Sequence, residues 1–234
     1  MVTSQTKERP IIFSGPMVNA ILAGRKTVTR RVMKPQPPDG YVSMVRDCDC
    51  GGNWWFSNMP PQRGAFSVGE HAKWENVFPR CPYGPPGHHL WVRETWSPDH
   101  AAFYPHFPVI YRADFGPEPE RNERGETYSP EQKAWYPFKW RSPIHMPRQC
   151  SRITLEVIDV RVERLQAITE TDADAEGVAE CEFFDAAKRG HPLTPHRTAF
   201  AWLWALIHGR GSWCTNPWVW VVSFKRVDET IGTV

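Results

Sequence analysis

The sequence predicts a β-rich α+β fold with a few helices and two long irregular insertions. Short apolar or alternating segments, which are typical of strands, occur near both ends of the chain, and helical spacing of apolar residues is confined to short segments. The 234 residues include 12 Trp and 23 Pro, which favours long loops anchored by aromatic residues over a helical bundle. A hydrophobic fraction of 41% is sufficient for a core.

The first predicted elements are a strand, a short helix and a second strand. Residues 10–13 are a short apolar run, and apolar residues then recur at helical spacing in residues 17–22. Gly24 follows at the position of a helix C-cap. Residues 26–31 alternate as a strand would, with Lys26 and Thr29 on opposite faces. This order of elements would place Lys, Thr and Arg side chains at the mouth of the fold.

We expect one domain over residues 10–226, with insertions at about residues 35–86 and 97–148 and tails at residues 1–9 and 227–234. The net charge of +2 is too small for a protein-wide field that attracts nucleic acid, so any basic site must be local. Six Cys without paired spacing and the lack of a signal peptide predict a soluble protein of the reducing cytoplasm. The apolar segment at residues 200–207 is too short to span a bilayer, so we expect no membrane partner.

Three groups of residues each have two interpretations. The basic residues 25–31 form either a solvated strand edge or a site for an anion or a nucleic acid. In the alternating segment 90–96, Glu94 shares a face with apolar residues, so it is either a structural carboxylate paired with a basic residue or a site residue. The aromatic residues of segment 135–140, which are interleaved with Lys139 and Arg141, either stack on unpaired bases or pin a loop to the core.

The second half of the chain predicts three strands and two helices. Residues 152–157 alternate as a strand, which residues 160–165 either continue or pair with. Thr169 is a predicted N-cap of a short acidic helix, with Asp172 three residues on and Glu176 at its end. Residues 198–208 predict an amphipathic helix that buries Phe200, Leu203, Trp204 and Ile207. Residues 218–224 are apolar on both faces and predict a central strand.

The order of six segments resembles the ASCH family. These segments are residues 12–13, 21–31, 154–157, 175–177, 200–207 and 219–224. The resemblance implies a PUA-like β-barrel with a few helices, and it covers about half of the chain. The whole chain is similar to phage and prophage proteins that are sometimes labelled morphogenetic. In that group the Gly-Arg-Lys-Thr-x-Thr-Arg-Arg motif, here residues 24–31, and the Trp-Val-Arg-Glu-Thr-Trp motif, here residues 91–96, recur. The sequence departs from the group at His88-His89, where an acidic and a basic residue are expected.

One branch of the family removes the acetyl group from acetylcytidine, and its catalytic Lys, Thr and Glu resemble Lys26, Thr29 and Glu176, with an accompanying Arg at Arg31. The resemblance implies that Lys26 takes the proton of the Thr29 hydroxyl, that Glu176 passes a proton to the leaving amine, and that Arg31 holds the oxyanion. Because an ideal strand separates Lys26 from Thr29, this chemistry requires either that the strand begins after Lys26 or that a bulge intervenes.

We therefore expect a protein that binds RNA or a modified nucleoside in a cleft, with no cofactor, in the cytoplasm of a bacterial host. The predicted ligand-binding residues are Arg25, Arg30, Arg31, Arg93, Glu94 and Trp96. Two alternatives stay open: an acetylcytidine-type amidohydrolase that uses Lys26, Thr29 and Glu176, and a phage structural or assembly protein without catalysis. Cys48, Cys50, Cys81 and His88-His89 lack the Cys-x-x-Cys spacing of structural zinc sites, so we assign no metal.

Overall fold

The computed structural model describes residues 7–37, 43–46, 54–57, 81–97, 109–114, 123–124, 126–129, 134–137, 139–180 and 195–227. The strands in this part of the chain are β1 (Glu8–Ile12), β2 (Val28–Val32), β3 (Ser43–Arg46), β4 (Trp54–Ser57), β5 (His89–Arg93), β6 (Trp96–Ser97), β7 (Ile110–Tyr111), β8 (Glu126–Ser129), β9 (Ala134–Pro137), β10 (Thr154–Arg164) and β11 (Trp218–Val227). The α-helices among the described residues are α1 (Gly15–Leu22), α2 (Glu170–Ala175) and α3 (Pro195–His208).

A mixed five-stranded sheet organises the fold. Its strand order is β1-β5-β10-β11-β2, in which β1 and β5 are parallel and the other neighbours are antiparallel. Strand pairs β3-β4, β6-β7 and β8-β9 form separate two-stranded sheets, and all of them except β6 lie within the predicted insertions. The α+β class is therefore confirmed. Within the described ranges no backbone ladder joins the edge strands β1 and β2, so they do not show the closed barrel that the resemblance implies.

The bounds of strands β1 and β10 differ from the predicted segments. Strand β1 begins at Glu8, two residues before the predicted start of the domain, because its backbone pairs with β5 rather than continuing the tail. Strand β10 is continuous, and its register shifts between Val157 and Asp159, so Ile158 is 46% exposed. Residues 160–164 therefore continue the strand, which was one of the two open alternatives.

The two faces of the central strand β11 pack into separate apolar clusters. Because side chains alternate along a strand, Trp220, Val222 and Phe224 lie in the first cluster, whereas Val219 and Val221 lie in the second. Helix α1 covers the first cluster, and helices α2 and α3 cover the second. The prediction of a central final strand is thus confirmed, since β11 pairs with both β10 and β2.

Helix α3 has a narrower buried stripe than its periodicity predicts. Phe200 and Trp204 are buried against the second cluster, and Leu203 packs there as a partly buried residue. Ile207 is 55% exposed, so its predicted burial is wrong: the last turn of the helix extends past the edge of the cluster. No helix in the described part of the chain combines the length and the apolar character that crossing a bilayer needs.

Candidate functional site

The segment between α1 and β2 places Lys26 outside the strand. Helix α1 ends at Leu22, and Gly24 follows with a φ of 74°, the left-handed conformation expected of a glycine that caps a helix. The backbone N–H groups of Arg25 and Lys26 both donate to the Ala20 carbonyl. Strand β2 then begins at Val28. The first condition for bringing Lys26 near Thr29, a strand that starts after Lys26, is therefore met.

The Lys26 amine lies in a closed ion pair with Glu176. Its Nζ donates to Glu176 Oε2 at 2.7 Å, to the Glu176 carbonyl at 2.8 Å and to the Val28 carbonyl at 2.9 Å, and its side chain has no solvent exposure. Burial lowers the pKa of Lys26, while the Glu176 carboxylate opposes that shift. Three acceptors for three N–H groups are the pattern that an ammonium group requires.

Glu176 reaches this position because helix α2 ends against the Lys26 segment. Thr169 Oγ1 accepts from the Asp172 N–H at 3.1 Å, which confirms the predicted N-cap. At the other end of the helix, the Thr27 N–H donates to the Ala175 carbonyl at 2.9 Å. Gly177 follows with a φ of 77°, and a Cβ at this glycine would lie 3.2 Å from Lys26 Cβ. The end of α2 and the segment before β2 are thus hydrogen-bonded directly. Two of the three predicted catalytic residues, Lys26 and Glu176, therefore converge.

Arg30 extends the ion pair into a six-residue charge network. Its Nη2 donates to Asp172 Oδ2 at 2.9 Å and to Glu163 Oε2 at 3.2 Å, and its Nη1 lies 3.5 Å from Glu176 Oε1. Arg161 binds the same two carboxylates, Asp172 and Glu163. The charge network consists of Lys26, Arg30, Arg161, Glu163, Asp172 and Glu176. Three cations and three carboxylates leave it formally neutral.

Several atoms of the charge network have unused hydrogen-bonding capacity. Arg30 Nε and Nη1 and Glu176 Oε1 are buried and have no hydrogen-bond partner among the described residues. Unsatisfied buried polar atoms are costly, and in proteins they often mark a place where a water or a ligand binds. One of these donors, Arg30 Nη1, lies 3.5 Å from the Glu176 Oε1 acceptor.

The pKa of Asp172 makes the network sensitive to acid. Burial alone would raise this pKa, but the Arg30 and Arg161 guanidinium groups outweigh burial and hold it below its ordinary value. A lowered folded-state pKa means that the carboxylate stabilises the fold fully above the unfolded value of about 3.9 and that this stabilisation is lost as the pH falls below it.

We expect Asp172→Asn to lower the free energy of unfolding by about 1–2 kcal/mol at pH 7, because a charge-assisted hydrogen bond is lost. This difference from the wild type should shrink as the pH falls below about 4. Urea unfolding at both pH values measures it. Asp174→Asn is the matched control on the same helix, since the Asp174 side chain is 63% exposed and should change stability little. A difference for Asp172→Asn that is independent of pH would contradict the assignment.

Thr29 and Arg31 lie on the opposite face of β2 from Arg30. Thr29 is buried, and no hydrogen bond joins it to Lys26. The Arg31 guanidinium lies 5.1 Å from the centroid of the Phe13 ring, and Lys26 Nζ lies 5.6 Å from the same centroid. Burial raises the pKa of the nearby Tyr83, and Arg31 partly opposes this shift. Phe13, which was not among the predicted site residues, thus lies next to Lys26, and Tyr83 lies near Arg31.

Glu94 belongs to a different group of side chains. Both of its oxygens accept from Arg152, at 2.9 and 3.0 Å, and Arg152 also binds Asp114 at 2.7 Å. The Arg152 guanidinium lies 4.0 Å from the centroid of the Tyr111 ring. Burial raises the pKa of Glu94, and Arg152 opposes this shift. The structural interpretation of Glu94, a carboxylate paired with a basic residue, is therefore the one that the structure supports.

The other predicted ligand-binding residues are also separate from Lys26. Arg93 donates to the Ile144 carbonyl at 3.3 Å and lies over the Trp91 ring, while Trp96 is buried beneath Arg141. Arg25 is exposed. Within the described ranges, none of the hydrogen bonds of Arg93, Glu94 or Trp96 reaches Lys26, Thr29 or Glu176. The residues predicted to line one cleft therefore lie in two separate groups.

Metal-ligating residues do not cluster where the structure is described: no three His, Cys, Asp or Glu side chains there are arranged to hold an ion. Cys48 and Cys50 lie outside the described residues. Burial raises the pKa of Cys81 to about 11, which disfavours the thiolate that zinc binding needs.

Sequence reasoning missed two carboxylates that bind Arg30, those of Asp172 and Glu163, and it missed Arg161, which binds the same carboxylates. Asp172 was assigned only as a capping residue, and Arg161 and Glu163 were assigned only to a strand. A signal was present, because Arg161 and Glu163 are two residues apart and therefore share a face of β10.

Comparison of the chain with protein-family models, with curated proteins and with solved structures finds no match.

Proposed function

We propose that this chain is a PUA-like, ASCH-type protein of phage or prophage that binds an uncharged modified nucleoside, free or within RNA, beside the charge network. The observation that carries the proposal is that the buried Arg30 Nη1 and Glu176 Oε1, which lie 3.5 Å apart, both lack a hydrogen-bond partner among the described residues. An amide or a nucleobase edge also presents donors and acceptors side by side, so it complements this arrangement. The resemblance to the ASCH family supports the same class of ligand.

The charge balance of the site favours an uncharged ligand. Because the three cations of the network are matched by three carboxylates, a phosphate placed among them would meet as much repulsion as attraction. Phosphates of an RNA would instead contact the basic residues outside the network, Arg25 and the partly exposed Arg31. The Lys26 and Arg30 side chains have no exposure of their own, whereas Arg161 is 33% exposed and Glu163 and Asp172 are each 24% exposed. The base would therefore approach the network from the side of Arg161, Glu163 and Asp172.

Calorimetric titration with acetylcytidine, and salt titrations with single-stranded and duplex RNA, test this function. We expect nucleoside affinity that changes little with salt, and RNA affinity that falls with salt and falls further in Arg31→Ala. Absence of nucleoside binding, together with RNA binding that ignores both salt and Arg31→Ala, would overturn the proposal. The charge network would then have only a structural role, as in the assembly-protein alternative.

An acetylcytidine-type amidohydrolase is the second candidate, and the lowered pKa of Lys26 favours it. All three N–H groups of Lys26 are engaged, so Lys26 must first pass a proton to Glu176 Oε2, 2.7 Å away, before it can act as a base. The free amine then accepts the Thr29 hydroxyl proton while Thr29 Oγ1 bonds to the acyl carbon. The C–N bond breaks as Glu176 returns its proton to the leaving amine, and water hydrolyses the acyl-Thr ester.

Thr29→Val separates this reaction from binding, because valine keeps the shape of threonine and lacks the hydroxyl. We expect the wild type to release acetate from acetylcytidine, Thr29→Ser to retain activity, and Thr29→Val to lose it while its circular dichroism is unchanged. Release of acetate by Thr29→Val at the wild-type rate would exclude Thr29 as the nucleophile. No release by the wild type, with Lys26→Ala as the inactive reference, would remove acylated cytidines as substrates.

A further inference from the structure

A cavity lies between helix α3 and the turn that follows it. Its volume is about 440 Å³, which is within the range of small-molecule sites. One wall is a stripe along α3 that contains Arg197, Thr198, Ala201, Trp202 and Ala205. These positions repeat at four-residue intervals and so share a helix face. The small side chains of Ala201 and Ala205 leave the space that the cavity occupies.

The opposite wall comes from the turn that follows the helix, and it is fixed in place. Trp213 and Cys214 line this wall. The Trp213 ring packs edge-on against Phe200 with 6.2 Å between the ring centroids. The backbone carbonyl of Trp213 accepts a hydrogen bond from Gln166 Nε2 at 2.9 Å. The cavity therefore has a preformed aromatic wall, whose position does not depend on a ligand.

The lining of the cavity combines polar and apolar side chains. Gln166, Arg197 and Thr198 are polar, whereas Ala201, Trp202, Ala205 and Trp213 are largely apolar. Arg197 Nη2 donates to the Gln166 carbonyl at 2.6 Å, and the remaining guanidinium N–H groups have no partner among the described residues. Glu170 already occupies the backbone N–H groups of His196 and Arg197, so the Arg197 side chain is the cation available to an anion here.

We propose that this cavity binds a small planar aromatic molecule that carries one acidic group. The aromatic part packs between the α3 stripe and Trp213, and the acidic group pairs with Arg197, for which guanidinium geometry suits a carboxylate or a sulfonate. This site is independent of the function proposed above, because none of its lining residues belongs to the charge network.

Anilinonaphthalene sulfonate, whose fluorescence rises in apolar sites, is the probe, and its neutral analogue N-phenylnaphthylamine is the comparison. We expect saturable binding at one site in the full chain, and a loss of affinity of about tenfold or more in Ala205→Phe, which fills the cavity. Leu206→Phe is the matched control: Leu206 is the next residue on α3, is 65% exposed and lies outside the cavity. It should leave binding unchanged.

Arg197→Gln tests the proposed pairing of Arg197 with the acidic group of the ligand. We expect this variant to weaken the sulfonate probe and to leave the neutral analogue unaffected. As a readout of position, saturating probe should slow the alkylation of Cys214, which is exposed and lines the cavity. Binding that survives Ala205→Phe, equal loss of both probes in Arg197→Gln, or no saturable binding by the wild type would each overturn the proposal.

Discussion

Replacing Lys26 with Met is expected to lower the free energy of unfolding by about 3–5 kcal/mol, because it leaves the Glu176 carboxylate buried without the amine that it binds. The Lys26 side chain has no exposure and that of Glu176 only 4%, so water cannot replace the lost partner without rearrangement. Arg30 Nη1, 3.5 Å from Glu176 Oε1, compensates only in part. Urea unfolding at pH 7 measures the loss.

An exposed ion pair of similar length provides the control. Lys225 and Glu156 are 2.9 Å apart, and the Lys225 side chain is 62% exposed, so Lys225→Met should cost at most about 1 kcal/mol. Lys26→Met combined with Glu176→Gln should recover part of the loss, because the uncompensated charge is then removed. Equal losses for Lys26→Met and Lys225→Met would show that the buried pair contributes no more than a surface pair.

Gly177→Ala is expected to lower the free energy of unfolding by about 2–4 kcal/mol, of which about 1–2 kcal/mol comes from the left-handed backbone and the rest from crowding. The φ of Gly177 is 77°, and an added Cβ would lie 2.9 Å from Ala20 Cβ and 3.2 Å from Lys26 Cβ. Neither neighbour can yield easily, because both belong to the buried junction of α1 with the Lys26 segment. Thermal and urea unfolding report the change.

Gly24→Ala isolates the steric part of this effect. Gly24 has a nearly equal φ of 74°, but nothing lies within 4 Å of the Cβ position. It should therefore lose only the backbone contribution, and the difference between the two variants measures the contact with Ala20 and Lys26. If both variants lose the same stability, the close approach of Gly177 does not constrain the position of Glu176.

Local patterns predicted the elements that carry the site. The helical spacing of residues 17–22, the C-cap at Gly24 and the alternation after Lys26 correspond to α1 and β2, and the Thr169 N-cap is present as expected. These features succeed because they depend on neighbours within a few residues. The convergence of Lys26 with Glu176 was expected from the family resemblance alone, since no local pattern links positions so far apart in the chain.

Long-range pairing accounts for what the sequence did not predict. Alternation placed Glu94 on an apolar face but did not identify Arg152 as its partner. In the same way, the charge at Arg30 gave no indication that it is buried between Asp172 and Glu163. Burial of a charged residue depends on partners from distant strands, and a single sequence does not record which of them meet.

The sheet order also constrains the sequence of events during folding. Strand β2 pairs only with β11, and β1 pairs only with β5, within the described sheet. Arg30 is buried only when Glu163 and Asp172 bind it and β11 pairs with β2. In the nascent chain its side chain therefore stays hydrated until these later segments have been synthesised. Such distant pairings slow folding, because loop closure costs entropy before any contact repays it. Before β11 is synthesised, strands β10 and β2 lack the neighbour that covers their edges in the folded protein. These uncovered strands are the segments of the nascent chain that a chaperone would bind.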